Sequence, residues 1–153
     1  MSTPEERLAE LGLSMPEVAK PVAAYVPAVR SGSHVFTAGQ LPLRSGELLT
    51  TGKVGGAVTP EQAKECAQQC ALNALAAIKA EVPLEQVRRI VKLVVFVAST
   101  PDFTGQPGVA NGASELVGEV FGDAGVHARS AVGVPVLPLD APVEVEIVVE
   151  VQD

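Results

Sequence analysis

The chain has 153 residues and a formal net charge of −7, and 47% of its residues are hydrophobic although only 3% are aromatic. This length suits one domain with a substantial aliphatic core, and the hydrophobic content excludes a disordered chain. Tight binding to a phosphate backbone depends on clustered Lys and Arg, so the acidic balance argues against a nucleic-acid partner.

The first part of the chain predicts a short helix followed by extended segments. Thr3 is a plausible N-cap with Pro4 as the first helical residue, and Gly12 ends this helix, which a connector follows to Lys20. The turn signals Ser31-Gly32-Ser33 and Arg44-Ser45-Gly46-Glu47 separate the extended segments. Those segments are Val22 to Val29, His34 to Ala38 and Leu48 to Thr51.

The second part begins with the clearest helix of the sequence. Thr59-Pro60-Glu61-Gln62 is a capping box, and apolar residues then recur with the 3.6-residue period as far as Ile78. Gln106-Pro107-Gly108 is interpreted as a loop that precedes a second helix. The remaining predicted elements are a turn at Leu84 to Val87, strands at Ile90 to Ala98, Arg129 to Val136 and Val143 to Val151, and a helix at Asn111 to Phe121.

This order of elements predicts an α+β fold with two long helices packed on one face of a mixed sheet. In the last strand, acidic residues alternate with Val from Val143 onward, so its two faces cannot both lie inside one core. Something else must cover the apolar part of the second sheet face in so small a protein. A homo-oligomer is the simplest solution.

Few residue patterns offer chemistry, and neither a metal site nor a cofactor is expected. Cys66 and Cys70 lack zinc-site spacing and are interpreted as two small buried residues on one helical face. His34 is most simply a polar strand-edge residue, whereas His127 either contacts a ligand or is structural. The free thiols, the charged N-terminal stretch and the absence of a run of about 20 apolar residues predict a soluble, cytoplasmic protein without a membrane partner.

Arg129 is the one unusual charge, because it opens an otherwise apolar strand. Its charge must be solvated or paired. A salt bridge to Glu144 or Glu146 on the next strand, or an extended side chain that reaches solvent, would satisfy it. A planar guanidinium also matches a carboxylate with two parallel hydrogen bonds, so binding of a small carboxylate-bearing ligand is the functional alternative.

Two motifs carry a family resemblance. The stretch Val35-Phe-Thr-Ala-Gly-Gln-Leu-Pro42 resembles the early signature of the reactive intermediate deaminase family, also called Rid, YjgF or endoribonuclease L-PSP-like. The stretch His127-Ala-Arg-Ser-Ala-Val132, followed by Leu137-Pro138 and Val143-Glu-Val-Glu146, resembles its late signature. The chain is therefore identified as a single Rid-like domain over residues 1–153, with residues 1–20 as an N-terminal helix and connector.

The resemblance implies a chorismate-mutase-like homotrimer that has clefts between its subunits. It also implies hydrolysis of short-lived enamines and imines such as 2-aminoacrylate to 2-oxo acids and ammonia. Arg129 would bind the substrate carboxylate and Glu146 would orient or polarise the attacking water. The other pocket positions that the resemblance implies are Tyr25, Ala38, Gly39, Asn111 and Ala131.

The chain departs from the family pattern at several of these positions. Ala38 stands where family deaminases commonly have Ser, Ala131 where they often have Cys, and Ser114 where an aromatic residue is expected. Glu146 by itself could equally be a solvated strand residue. Three functions therefore remain open: an imine deaminase, a non-catalytic binder of small carboxylates with a regulatory or scavenging role, and a ribonuclease, which the acidic charge disfavours.

Overall fold

The computed structural model describes residues 2–18 and 24–153. It contains three α-helices and seven strands within these residues. They are α1 Pro4–Glu10, β1 Ala28–Ser31, β2 His34–Thr37, β3 Leu43–Arg44, β4 Glu47–Leu48, α2 Pro60–Glu81, β5 Val87–Ala98, α3 Gln106–Phe121, β6 Ala128–Val134 and β7 Val143–Val151. A 3-10 turn at Leu84–Gln86 precedes β5, as the sequence predicts.

Five of the strands form one mixed sheet in the order β1-β2-β7-β5-β6. Its neighbours are antiparallel except β5 and β6, which are parallel because α3 forms the crossover between them. Strands β3 and β4 form a separate hairpin. The two long helices pack against each other and against one face of the sheet, so the predicted α+β arrangement is confirmed.

The two helix starts that the sequence marks with an N-cap, at Thr3 and Thr59, are confirmed. Thr59 Oγ1 accepts the Gln62 backbone N–H at 3.1 Å, and Gln62 Oε1 accepts the Thr59 N–H at 2.9 Å. Thr3 and Glu6 form the same reciprocal pair at the start of α1. Each box satisfies two backbone donors that the first helical turn would otherwise leave unpaired.

The second long helix begins five residues earlier than the sequence predicts. Gln106 to Gly108, interpreted above as a loop, form the first turn of α3, so Asn111 lies in the second turn rather than opening the helix. No Ser, Thr, Asp or Asn marks this start, because Gly105 is the N-cap. The Gln106 side chain instead donates to Phe103 O at 2.8 Å and ties the first turn to the preceding loop.

Strand boundaries also differ from the expectation. Strand β1 ends at Ser31 rather than Val29, and β5 begins at Val87 rather than Ile90. Strand β2 ends at Thr37, β4 covers only Glu47–Leu48 and β6 ends at Val134. The short hairpin is joined by a two-residue turn in which Ser45 and Gly46 both have positive φ, and this turn sets the register in which Arg44 pairs with Glu47. Of the extended segment predicted at Val22 to Val29, residues 24–27 belong to no strand, and Val22 and Ala23 lie outside the described residues.

Strand β7 divides the sheet into a buried face and an open face. Its odd-numbered residues, Val143 to Val151, are all buried beneath the helices, whereas Glu144, Glu146, Val148 and Glu150 are only partly buried on the other face. The open face also carries exposed apolar side chains, such as Phe36 and Val132. The described part of the chain therefore leaves one partly apolar sheet face uncovered, as the alternating pattern predicts.

The small residues of α2 are buried against the sheet. Cys66 and Cys70 are both buried free thiols, which matches their interpretation as small core residues. Burial, and secondarily the charge of Glu65, raises the pKa of the Cys66 thiol to about 11. Neither thiol therefore resembles an activated nucleophile.

No helix within the described residues has the length and hydropathy to span a bilayer.

Replacing Gly112 by Ala should weaken the packing between α2 and α3. A Cβ at this position would overlap the backbone carbonyl oxygen of Lys64 on α2, and backbone cannot move away as a flexible side chain can. We expect Gly112→Ala to lower the free energy of unfolding by about 1–3 kcal/mol, a typical cost of overpacking. Denaturant unfolding measures this value.

Gly118→Ala is the matched control, because Gly118 lies in the same helix with open space where its Cβ would be. It should be neutral or stabilise the protein by up to about 1 kcal/mol through helix propensity. Equal stability of the two variants would contradict the close helix contact.

Candidate functional site

Arg129 lies on the helix side of the sheet, at its edge. Strand β6 is the outermost strand, and Arg129 is paired in register with Leu93, whose side chain is buried beneath the helices. Its Nη1 group donates to Asn111 Oδ1 at 2.8 Å and to Ser114 Oγ at 3.1 Å. Both acceptors are on α3, three residues apart and therefore on one helical face.

The contacts of Arg129 continue to His127, which precedes β6. His127 Nε2 is 2.9 Å from Ser114 Oγ, and its Nδ1 is 2.6 Å from Gly125 O. A carbonyl can only accept, so Nδ1 carries the hydrogen that Gly125 O accepts. We call Asn111, Ser114, His127 and Arg129 the arginine cluster.

No carboxylate neutralises Arg129 within the described residues. The ion pairs there are Lys64–Glu115 and Lys79–Glu5, both elsewhere. The salt bridge of Arg129 to Glu144 or Glu146 that the sequence left open is therefore absent from the described part of the chain. Arg129 is partly buried, and all its protein partners are neutral, so the cluster offers an uncompensated positive charge.

A second group of residues forms where β2 ends beside β7. Thr37 Oγ1 accepts the Ile147 backbone N–H at 3.0 Å, so a side chain takes the place of the next backbone hydrogen bond between β2 and β7. The chain rejoins β7 at Gln40, which exchanges two backbone hydrogen bonds with Val145. Gly39 is thus held directly against the Glu144 side chain, and a Cβ on Gly39 would overlap that carboxylate.

Glu144 and Glu146 lie side by side on the open face. Burial, and secondarily the charge of Glu146, raises the pKa of the Glu144 carboxyl group. A carboxyl group with a raised pKa can both donate and accept a proton near neutral pH more readily than an ordinary one. We call Gly39, Glu144 and Glu146 the acidic cluster.

Two buried side-chain amides of α2, Asn73 and Gln69, fix the loop that follows Gly39. Asn73 Nδ2 donates to Leu41 O at 3.0 Å and to Leu43 O at 2.9 Å, while its Oδ1 accepts from Gln69. Gln69 in turn accepts from Arg44 Nε at 3.2 Å. Polar residues within the buried stretch of a predicted helix are a signal that could have identified this support from sequence.

The two clusters face opposite sides of the same sheet. Glu146 pairs with Val94 on the open face, whereas Arg129 pairs with Leu93 on the helix face. Strand β5 lies between their strands, so their backbones are about 10 Å apart, or two strand spacings. Within one chain, Arg129 and Glu146 do not form one pocket.

The remaining predicted positions are distributed between these clusters. Ala38 precedes Gly39 and donates its N–H to Pro27 O, and Tyr25 lies two residues before that proline with 45% of its surface exposed. Ala131 lies on the helix face of β6 near Arg129 and packs against the core. Sequence reasoning did not identify Ser114 and His127 as partners of Arg129, or Glu144 as the carboxylate beside Gly39.

His34 remains a strand-edge residue, since it opens β2 opposite Glu150 and Ser31. No group of three His, Cys, Asp or Glu side chains within residues 2–18 and 24–153 is arranged to hold a metal ion.

Comparison with known proteins adds a family description to this geometry. Residues 5–151 match the model of the family described as YjgF/chorismate mutase-like, putative endoribonuclease. Protein TCP17 of Trypanosoma cruzi is 43% identical over 148 residues, which cover 95% of this chain and 92% of that protein. A 2-iminobutanoate/2-iminopropanoate deaminase of Dermatophagoides farinae is 30% identical over 142 residues, which cover 92% and 95%.

Solved structures show the same fold. The crystal structure of protein Atu1372 from Agrobacterium tumefaciens superposes with a TM-score of 0.92 at 44% identity. The match covers 97% of this chain and 92% of that one. The chorismate-mutase-like α+β fold that the sequence motifs imply is thereby confirmed.

Glu144→Gln should change how stability depends on pH. Because the pKa of Glu144 in the folded protein is raised above its ordinary value, its favourable contribution is complete below pH 4.5 and is lost as pH rises through the raised pKa. The variant should therefore be more stable than the parent at pH 7 and lose this advantage near pH 4. Thermal unfolding at both pH values measures the difference.

Glu146→Gln is the matched control, because it removes a neighbouring carboxylate on the same strand and face. This variant leaves the Glu144 carboxyl group in place, so it should keep most of the parent's dependence of stability on pH, because burial is the larger cause of the raised pKa of Glu144. A stability difference between Glu144→Gln and the parent that is the same at both pH values would contradict the burial of this carboxyl group.

Proposed function

Because the chain belongs to the YjgF/chorismate mutase-like, putative endoribonuclease family, we propose that it hydrolyses small enamines and imines of the 2-aminoacrylate type. The products are 2-oxo acids and ammonia. The deaminase of Dermatophagoides farinae, 30% identical over nearly the whole chain, supports this reaction class. The proposal also treats residues 1–153 as one catalytic domain.

The observation that carries the proposal is the uncompensated guanidinium of Arg129. Its contacts in the described chain are to the neutral acceptors Asn111 and Ser114, so its charge remains available to an anion. A substrate carboxylate would accept two parallel hydrogen bonds from it. Asn111 thus acts by holding the anchor, and Ala131 lines the strand beside it.

The acidic cluster supplies proton transfer. Hydrolysis begins when the carboxyl group protonates the enamine carbon to give the iminium ion, after which water adds to the C=N carbon and returns a proton to the carboxylate. The proton that water loses, and the proton that the departing ammonia needs, can pass through one carboxyl group. Glu144 suits this role because its pKa is raised and it lies against Gly39, while Glu146 orients the water beside it.

The opposite faces of the two clusters favour an active site between subunits. One chain presents Arg129 at the edge of its sheet and presents Glu144 on its open face. The open face also exposes Phe36 and Val132, each more than 40% accessible, which a second copy would cover. We therefore propose a homotrimer in which the arginine cluster of one subunit meets the acidic cluster of the next, with Tyr25 lining the cleft.

A non-catalytic binder of small carboxylates is the second candidate. It is favoured by Ala38, which places a methyl group where family deaminases commonly have a hydroxyl beside Gly39. The anchor at Arg129 is the same in both candidates. Ribonuclease activity has less support, because both nitrogens of His127 are engaged by Gly125 and Ser114.

Arg129→Ala should weaken carboxylate binding and reduce turnover together. Loss of a charge-assisted pair of hydrogen bonds costs about 1.5–3 kcal/mol, so affinity for 2-oxobutanoate should fall at least about 10-fold. Calorimetry measures this affinity. Release of 2-oxo acid from 2-aminoacrylate generated enzymatically in the assay measures turnover.

Arg30→Ala is a control of equal charge, because Arg30 lies on β1 at the far edge of the sheet and contacts only backbone carbonyls. It should retain binding and turnover. Binding without any acceleration of imine hydrolysis by the parent protein would favour the non-catalytic candidate. Absence of carboxylate binding by the parent would overturn both.

Mixed subunits should test the site between chains. Arg129→Ala and Glu144→Gln chains should each be inactive alone, because each removes one half of every site. Co-refolding the two variants should restore part of the deaminase activity, because some interfaces then combine an intact Arg129 with an intact Glu144.

The control mixes wild-type chains with chains that carry both substitutions. Such a mixture cannot exceed the activity contributed by its wild-type chains. Failure of the single variants to complement each other, while they still assemble, would place both residues in one subunit's site or exclude one of them from it.

A further inference from the structure

We propose that Ser114 and His127 are positioning residues that set the orientation of the Arg129 guanidinium, so that its Nε–Nη2 edge is presented to an anion. The arrangement runs from the Gly125 carbonyl through His127 and Ser114 to Arg129. These hydrogen bonds are present in the structure. Its role in binding a carboxylate rests on the proposed function.

These hydrogen bonds use only the Nη1 group of the guanidinium, so its Nε–Nη2 edge is open to a ligand. Nη1 has two hydrogens, and both have acceptors: Asn111 Oδ1 at 2.8 Å and Ser114 Oγ at 3.1 Å. The Nε and Nη2 groups have no acceptor within the described residues. These two groups point in parallel, so they form the pair that matches both oxygens of one carboxylate.

Ser114 can serve Arg129 only if its own hydrogen is directed elsewhere. A helix serine commonly turns its hydroxyl to the carbonyl one turn earlier in the same helix. Here His127 Nε2, at 2.9 Å, is the alternative acceptor that turns the hydroxyl toward β6. With its hydrogen donated to His127, the Ser114 oxygen presents its lone pairs to Arg129.

His127 can accept from Ser114 because its hydrogen lies on the other nitrogen. The 2.6 Å contact between Nδ1 and Gly125 O requires that hydrogen, which leaves Nε2 as an acceptor in the neutral ring. A backbone carbonyl therefore selects the tautomer. Gly125 is itself held tightly, since a Cβ there would overlap the carbonyl oxygen of Val117 on α3.

This geometry explains how a partly exposed arginine on an edge strand can be preorganised. An unrestrained arginine loses side-chain entropy when it binds a ligand, whereas one held at Nη1 has lost part of it already. The position at which the family resemblance implies an aromatic residue thus carries a hydroxyl with a defined partner. The arrangement requires Ser114 and His127 together, because His127 is the acceptor that directs the Ser114 hydroxyl hydrogen away from Arg129.

Two substitutions of His127 separate the two nitrogens. His127→Asn keeps a donor near the Nδ1 position but has no acceptor at Nε2. His127→Gln can place its amide oxygen near the Nε2 position and so accept from Ser114. His127→Asn should therefore remove the hydrogen bond from Ser114, and His127→Gln should largely retain it, although both substitutions remove the imidazole ring.

The first measurement is nitrogen-15 NMR of the arginine side chains, with the Arg129 signals assigned by their loss in Arg129→Ala. Hydrogen bonds to Nη1 slow rotation about the Nε–Cζ bond and separate the two Nη signals. The separation should be present in the parent and in His127→Gln. It should become smaller in His127→Asn and Ser114→Ala, in which Asn111 remains as an acceptor for Nη1 but the bond to Ser114 is weakened or lost.

The second measurement is calorimetric affinity for 2-oxobutanoate, with thermal unfolding of each variant recorded in parallel. Ser114→Ala and His127→Asn should each weaken binding about 3- to 10-fold, the range expected for one neutral hydrogen bond. His127→Gln should remain within about 2-fold of the parent. A purely structural role would lower the unfolding temperature of the variants without this difference between Asn and Gln.

The outcomes distinguish the inference from the proposed function. Unchanged Arg129 signals in Ser114→Ala and His127→Asn would overturn the positioning role. Equal affinities of the Asn and Gln variants for 2-oxobutanoate would also overturn it. A separated Nη signal in a parent protein that binds no 2-oxo acid would instead overturn the proposed function. If Ser114→Ala does not fold, the Asn and Gln pair still decides the question.

Discussion

The strict alternation of β7 is the constraint on which the rest of the structure depends. Its odd-numbered residues, from Val143 to Val151, are all buried beneath the helices, and burial of each such side chain contributes about 1.5–3 kcal/mol. A shift of one residue in register would move all of them to solvent and bring glutamates into the core. The register with β5 is therefore strongly specified, and it determines which face every neighbouring side chain occupies.

This register explains why the candidate site is divided within one chain. The pairing that buries Leu93 sends Arg129 to the helix face, where α3 provides Asn111 and Ser114. The same pairing sends Glu144 to the open face, where the loop at Gly39 approaches it. In the proposed homotrimer, the cation at the edge strand of one subunit would complement the carboxyl group on the open face of the next.

Much of the fold could be predicted because local patterns were unambiguous. The capping box at Thr59 and the alternation from Val143 both correspond to observed elements. The start of α3 was missed because its N-cap is glycine, which offers no side-chain acceptor, and the Gln106 side chain instead ties the first turn to the preceding loop. For the site, the motifs indicated Arg129 and Glu146. Glu144, however, is the carboxyl group that lies against Gly39 and whose pKa is raised by burial.

By itself, the sequence determined the α+β class, the buried helix face and the motifs that resemble one family, because these depend on periodicity, caps and residue order. Tertiary structure alone decided that Arg129 and Glu146 face opposite sides of the sheet, since this depends on pairing between strands that are distant in the chain. It also decided that the guanidinium donates to Ser114, which in turn contacts His127. Such contacts join a helix, a loop and an edge strand, and no local pattern specifies their distance.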